Sequence, residues 1–268
     1  MPDTISAERA TEARLRADDV TVGYTETPVL SGVTLDIPTG KITALIGANG
    51  CGKSTLLAAL SRVRPPRDGT VLLDGASIAR MPLREVAKSL TILPQTPIAP
   101  EGLTVRQLCR LGRNPHRGRF GRANTDDETI VSRAIAACGL LELQDRAVDE
   151  LSGGQRQRAW IAVALAQDTP LLLLDEPTTY LDLAHQVEVL ELLRTLNREH
   201  GRTIVMVLHD LNQAARYADH VVALSGGGIH IEGTPAETLT EQTIRLVYGL
   251  DCRIVPNPID GTPLCIPL

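Results

Sequence analysis

Apolar positions along the chain fall into two kinds of pattern. Short apolar runs stand at residues 42–46, 90–94, 171–174 and 203–208, with hardly a polar interruption. Between them lie segments of helical spacing at 56–60, 83–89, 154–166, 183–199, 211–217 and 241–248. Runs of the first kind suit strands buried on both faces, and their alternation with helices predicts a mainly parallel sheet flanked by helices. A period-2 pattern appears at 19–24 and again at 33–37, before the turn Pro38-Thr39-Gly40, and predicts two strands with one polar face. Residues 70–75 read as a strand and turn, and two short strands flank Gly226-Gly227-Gly228.

From Thr96 to Asp149 the β-pattern fades. Thr104 is placed to cap a helix running to Leu111, and Thr125 or Asp126 another running to Cys138. The loop between them carries Arg113, His116, Arg117, Arg119 and Arg122. A helical insert in an α/β chain accounts for this block. Residues 1–14 are polar and read as a frayed tail. Neither an internal repeat nor a low-complexity linker interrupts the remainder.

Composition narrows the function classes. A chain of 268 residues, 43% apolar, can bury a full core as one large or two small domains. A net charge of −5 argues against a phosphodiester backbone as the main partner. Aromatic residues at 2%, with one Phe and one Trp, leave almost nothing for bases to stack on. No segment reaches the roughly eighteen uninterrupted apolar residues of a membrane span; the best candidate, 159–174, is cut by Gln167, Asp168 and Pro170. The first nineteen residues lack the apolar centre of a signal peptide. Five cysteines without a C-x-x-C spacing suit reduced thiols in a cytosolic protein.

The chemistry centres on Gly47-Ala48-Asn49-Gly50-Cys51-Gly52-Lys53-Ser54-Thr55, which follows one apolar run and opens a helical segment. Strand, glycine loop and helix in this order are the context a phosphate-binding loop needs. The glycines let consecutive N–H groups form a concave nest, and the helix start adds its own N–H groups and dipole. Lys53 can reach the β- and γ-phosphates, and the Ser54 hydroxyl is placed to hold Mg²⁺. Asp175-Glu176 ends the run 171–174, where α/β sheets place their ligands. Asp175 would orient Mg²⁺ and its waters, and Glu176 would polarise an attacking water as general base. Leu151-Ser152-Gly153-Gly154-Gln155 opens the long helical segment and offers a second anion-binding N-terminus. It caps either the γ-phosphate held by another subunit or, more simply, only its own helix.

Together these residues resemble the ABC-transporter ATPases. Ser152, Gly153, Gly154 and Gln155 match that family's signature, just upstream of Asp175-Glu176. Tyr24 is similar to the aromatic that stacks on adenine, and Gln95 to the Q-loop glutamine that links Mg²⁺ and the water to the helical subdomain. Asp182 after Leu181 resembles the D-loop, and His209 the switch histidine at the γ-phosphate. The resemblance runs from about residue 15 to at least residue 233. It implies an ABC-type P-loop NTPase of class α/β, with an N-terminal antiparallel β subdomain and an inserted helical subdomain. Residues 15–95 and 155–268 would form the RecA-like core and β subdomain, and 96–154 the helical subdomain. It further implies ATP and Mg²⁺ as cofactors, and a head-to-tail homodimer with two ATPs sandwiched between P-loop and signature. Closure and reopening of that dimer would drive transmembrane permease subunits from the cytoplasmic face of the membrane.

Narrower features are similar to the ATPases of iron–siderophore importers. These are the stretch from Glu176 through Pro177-Thr178-Thr179-Tyr180 to Gln186, the motif Gly112-Arg113-Asn114-Pro115-His116, and the tail Asp260-Gly261-Thr262-Pro263-Leu264-Cys265-Ile266-Pro267. Haem and cobalamin importers share that fold, so an importer ATPase for haem or cobalamin is an alternative reading. Cargo would arrive through a periplasmic or surface binding protein. The arginines from Arg110 to Arg122 would face the permease or anionic lipid, or form a solvated basic loop. Cys51, inside the phosphate loop beside a helix start and Lys53, should be a reactive thiol. The competing classes are a soluble ABC ATPase acting as an assembly factor, and a nucleotide-binding regulator that does not hydrolyse. Glu176 speaks against the second.

Overall fold

The computed structural model describes residues 13–117 and 125–268, so the reading of residues 1–12 as a tail, and Arg119 and Arg122, lie outside it. The chain divides into two compact units. One takes in the residues up to Met81 together with Thr203–Leu268, and the other is Pro82–Arg202.

The first unit contains an antiparallel sheet of β1 (Ala13–Val22), β2 (Leu30–Pro38), β4 (Asp68–Leu73) and β5 (Ala76–Ser77), ordered β2-β1-β4-β5. β1 starts six residues before the alternating pattern at 19–24 and takes in the last two residues read as tail, where Arg14 is anchored: its guanidinium chelates Asp74 with two 2.7 Å hydrogen bonds. Leu15 and Ala17 face Ile37 and Leu35, while Val20 and Val22 face Val33 and Leu30. A bulge at Asp18-Asp19 lets both apolar pairs point to the same interior despite their different parity.

The same unit holds β3 (Ile42–Gly47), α1 (Lys53–Leu60), β8 (Thr203–Val207), α7 (Leu211–Tyr217), β9 (His220–Ser225), β10 (Gly228–Gly233), α8 (Pro235–Thr238) and α9 (Glu241–Tyr248). The strand order is β10-β9-β3-β8, with β3 parallel to both of its neighbours and β10 closing a hairpin on β9. Every residue of β3 and β8 is buried. That is the burial expected where helices cover both faces, and α1 and α7 both pack on β3. A C-terminal hairpin of β11 (Cys252–Pro256) and β12 (Pro263–Pro267) was not evident from the pattern. Its strands are five residues long and bounded by proline, too short for alternation to register.

The second unit contains α2 (Leu83–Ser89), β6 (Leu90–Leu93), α3 (Val105–Leu111), α4 (Thr125–Ala137), α5 (Gly153–Gln167), β7 (Leu171–Leu174) and α6 (Leu183–His200). β6 and β7 pair in parallel. Thr104 caps α3 in a reciprocal box with Gln107, as expected. Helices α3, α4 and α5 pack on one another through Val105, Leu108, Cys109, Val131, Ile135 and Ile161, all fully or almost fully buried.

The basic segment is not a solvated loop throughout. Arg113 is only 5% exposed, 2.8 Å from the Asp127 carboxylate, and its Nη1 donates to the Ala166 carbonyl at 2.9 Å. Arg110 chelates Glu128 at 2.6 and 3.0 Å. The acids that neutralise these arginines open α4, beyond the loop, where a scan of local charge does not look.

Candidate active site

In the first unit, β3 delivers the chain to the phosphate loop at Gly47. Its φ is 148°, and a Cβ there would stand 2.5 Å from the Leu224 carbonyl oxygen and 2.6 Å from Cys51 Sγ. Gly52, which precedes α1 at φ 108°, is equally closed: a Cβ would meet Leu30 Cδ2 at 2.7 Å. Both positions therefore admit only glycine. Between them lie the exposed Asn49 and Gly50, and the Cys51 N–H donates to the Ala48 carbonyl at 3.3 Å. The first turn of α1 carries no acidic residue, so its positive end faces the loop uncompensated by the helix itself.

Lys53 is 6% exposed. Its Nζ donates to the carbonyls of Gly47 (2.8 Å) and Ala48 (3.0 Å) and lies 3.9 Å from Cys51 Sγ. The ammonium thus sits within the loop whose N–H groups would meet phosphate. Ser54 is half-buried and Thr55 buried in the first turn. The Gly47 N–H donates to the Tyr248 hydroxyl oxygen at 2.7 Å. No sequence signal pointed to Tyr248, since 201 residues separate the two. Tyr24 is 60% exposed, with the Arg64 guanidinium carbon 3.9 Å from its ring centroid. His209 is exposed two residues past β8. Asp210 beside it caps α7 by accepting the N–H groups of Asn212 (2.7 Å) and Gln213 (3.0 Å).

In the second unit, the buried Asp175 follows β7, and its N–H extends the ladder by donating to the Leu93 carbonyl at 2.9 Å. Glu176 holds φ 53°, the left-handed region that a residue with a long side chain seldom adopts. That conformation turns the carboxylate toward two donors. Gln95 Nε2 reaches Glu176 Oε2 at 2.8 Å, and Thr179 Oγ1 reaches the same oxygen at 2.9 Å. Gln95 comes from the chain just past β6, the parallel neighbour of β7, so strand pairing brings the two residues side by side. Thr179 was not singled out from sequence, although its i+3 spacing from Glu176 was a usable signal. Gln157 of α5 donates to the Pro177 carbonyl at 3.2 Å and pins the loop after Glu176.

Ser152 caps α5 in a second reciprocal box. Its hydroxyl accepts the Gln155 N–H at 3.3 Å, and Gln155 Oε1 accepts the Ser152 N–H at 3.1 Å. Gly153 has open space around it, whereas a Cβ on Gly154 would come within 3.2 Å of Leu181 Cδ2. The start of α5 and the segment just before α6 therefore approach closely inside this unit. Asp182 caps α6 by accepting the His185 N–H (2.9 Å) and lies 2.7 Å from His185 Nδ1. The backbone N–H, and after it the imidazole, hold the Asp182 carboxyl below the usual carboxylate range. Tyr180 and Leu183 are large apolar residues beside this cap, 76% and 72% exposed.

The sequence profile of the ABC transporter family matches residues 30–179, from β2 through the Glu176 loop. The chain belongs to the ABC transporter family. It is 53% identical over 249 residues to the achromobactin transport ATP-binding protein CbrD of Dickeya dadantii, covering 93% of each chain. It is 51% identical over 256 residues to the ferric enterobactin transport ATP-binding protein FepC of Escherichia coli, covering 96% of this chain and 94% of FepC. Among solved structures, the ATP-binding cassette MJ0796 as a dimer with ADP and Pi superposes with a TM-score of 0.74 at 28% identity. That match covers 82% of this chain and 98% of MJ0796. The ABC transporter chain accordingly has the ABC ATPase fold and is an ATP-hydrolysing subunit. Among its described residues no helix is long and apolar enough to cross a membrane.

Proposed function

We propose that this chain energises ferric siderophore import, working as a homodimer on the cytoplasmic face of the membrane beneath a transmembrane permease fed by a substrate-binding protein. The observation that carries the cargo is the identity above one half to siderophore transport ATP-binding proteins over nearly the whole chain. The closed glycine positions at Gly47 and Gly52 and the buried Lys53 support ATP in the P-loop. The Ser54 hydroxyl and the buried Asp175 carboxylate are hard oxygen donors, the kind Mg²⁺ takes together with phosphate oxygens. Bound Mg²⁺ would neutralise charge on the β- and γ-phosphates.

The chain's own residues do the rest. Gly50, Cys51, Gly52 and Thr55 wrap the phosphates with backbone N–H groups, Asn49 borders the loop, and Lys53 exchanges its loop carbonyls for phosphate oxygens. Tyr24 stacks on adenine with part of its exposed ring. Glu176 accepts the proton of the attacking water while Gln95 and His209 orient water and γ-phosphate. Ser152, Gly153, Gly154 and Gln155 present their helix N-terminus to the nucleotide of the second copy, and Asp182 shapes the neighbouring contact. Exposure of Tyr180 and Leu183 beside that segment supports a partner there. Residues 96–154 act as the helical subdomain that faces the permease.

Co-expression with a candidate permease tests the reading. Recovery with a polytopic membrane protein, and loss of radio-iron siderophore uptake in a Glu176→Gln strain, are expected. Isolation only in a soluble complex, with uptake intact, would make this an assembly factor instead.

A further inference from the structure

The last backbone donor of β3 goes not to β8 but to a side chain from near the C-terminus. The Lys41 carbonyl accepts the Ile204 N–H at 3.0 Å, and the Leu45 carbonyl accepts the Leu208 N–H at 3.2 Å. The Ile42 carbonyl instead accepts the Asp219 N–H at 2.9 Å, on the side of β9. Odd-numbered residues of β3 therefore bond toward β8 and even-numbered ones toward β9, as a parallel ladder requires. β8 ends at Val207. Gly47, next in the odd series, aims its N–H past that end and donates to the Tyr248 phenol oxygen at 2.7 Å. Its carbonyl accepts Lys53 Nζ at 2.8 Å. The residue where strand becomes phosphate loop is thus held at both of its polar groups.

Tyr248 is itself fixed. It is the last residue of α9, which Thr240 caps at one end and Gly249, at φ 66°, terminates at the other. The hairpin that follows is bound to α7: the Cys265 N–H donates to Asn212 Oδ1 at 2.7 Å, and Asn212 Nδ2 donates to the Cys265 carbonyl at 3.3 Å. Asn212 stands three residues after His209. The C-terminal segment therefore touches the start of the phosphate loop and the helix behind the switch histidine. Burial pushes the Tyr248 phenol up from its ordinary value, so a neutral hydroxyl stands beside the loop at physiological pH. None of residues 241–268 falls within the matched family profile.

We propose that Tyr248 is a positioning residue for the phosphate cradle: its hydroxyl holds the Gly47 N–H, and through Gly47 the bond from Lys53 Nζ to the Gly47 carbonyl, in the geometry that receives the nucleotide. The cradle has no slack to absorb an error, because a Cβ's worth of space is missing at Gly47. The proposal rests on the ATP-binding reading of the loop, and nucleotide binding by the unaltered protein tests that reading separately.

Tyr248→Phe removes only the hydroxyl. In the purified full-length chain it should raise the KM for ATP and the Kd for a fluorescent ATP analogue about tenfold, with kcat changed less than about twofold. Hydrogen exchange should show the Gly47 amide losing protection while the amides of Ala44 and Leu45 keep theirs. KM and Kd unchanged in Tyr248→Phe would overturn the proposal, as would a fall in kcat alone. If Tyr248→Phe does not fold, Asn212→Ala, which loosens the hairpin from α7, should still lower Gly47 protection and weaken binding. Full protection at Gly47 in that variant would also overturn it.

Discussion

The Gln95 amide and the Thr179 hydroxyl donate to one and the same oxygen of Glu176, at 2.8 and 2.9 Å. A carboxylate oxygen committed twice is fixed in direction, and the left-handed backbone at Glu176 sets where the carboxylate stands. Glu176→Gln keeps the size and the backbone preference but removes the base. The expected result is a fall in kcat of at least about 10²-fold with ATP binding retained, read by phosphate release and by dimer formation in the presence of ATP. Thr179→Val should cost less, about three- to tenfold, because Gln95 still holds the carboxylate. Turnover unchanged in Glu176→Gln would end the general-base assignment.

Gly47 and Gly50 both lie at positive φ, 148° and 78°, yet their surroundings differ. A Cβ at residue 47 runs into the Leu224 carbonyl and Cys51 Sγ, while nothing lies within 4 Å of one at residue 50. Gly50→Ala should cost only the left-handed penalty, about 1 kcal/mol. Gly47→Ala must also displace backbone and should cost about 3 kcal/mol or more. Urea denaturation of the two variants checks the order. Equal losses would mean that contact, unlike φ, is not what closes the loop.

Much of this arrangement was legible along the chain because it depends on neighbours in sequence. The buried run before Gly47, the boxes at Thr104 and Ser152 and the carboxylate after Leu174 are each set by residues a few positions apart. What escaped is contact over long separation. Arg113 looked like part of a basic loop because Asp127, which shares its burial, lies across that loop at the start of α4. Tyr248 carried no motif, and only the parallel ladder of β3 with β8 shows why Gly47 needs an acceptor there. The C-terminal hairpin was missed because its strands bury only Cys252 and Cys265, with Ile254 half-buried opposite Cys265, too few inward positions for an alternation to register.

Cysteine chemistry separates the five thiols by access. Cys51 is half-buried beside Lys53 Nζ, and the other four are buried. Burial also pushes the Cys109 thiol up to about 12, so it stays protonated and unreactive at neutral pH. A maleimide should label Cys51 first, block ATP hydrolysis, and be excluded by bound ATP. Mass spectrometry of peptides after limited labelling reads both outcomes. Labelling at Cys51 that ATP does not slow would show that the thiol lies outside the nucleotide footprint.

The Arg113–Asp127 pair is a stability element of the second unit. The two side chains are 6% and 7% exposed at 2.8 Å, and Arg113 also satisfies the Ala166 carbonyl in the last turn of α5, where a cation suits the helix dipole. Removing the arginine alone leaves a carboxylate in a dry setting, so Arg113→Met should destabilise by about 3–5 kcal/mol. Removing both charges with residues of similar volume takes away the desolvation cost along with the attraction. Arg113→Met combined with Asp127→Leu should therefore recover part of the single loss, leaving mainly the missing bond to Ala166. Urea unfolding of the two single variants and the double variant gives the coupling directly. If the two single losses simply sum to that of the double variant, the two charges are not sharing a desolvated site, and the packing of α3, α4 and α5 stands on their apolar side chains alone.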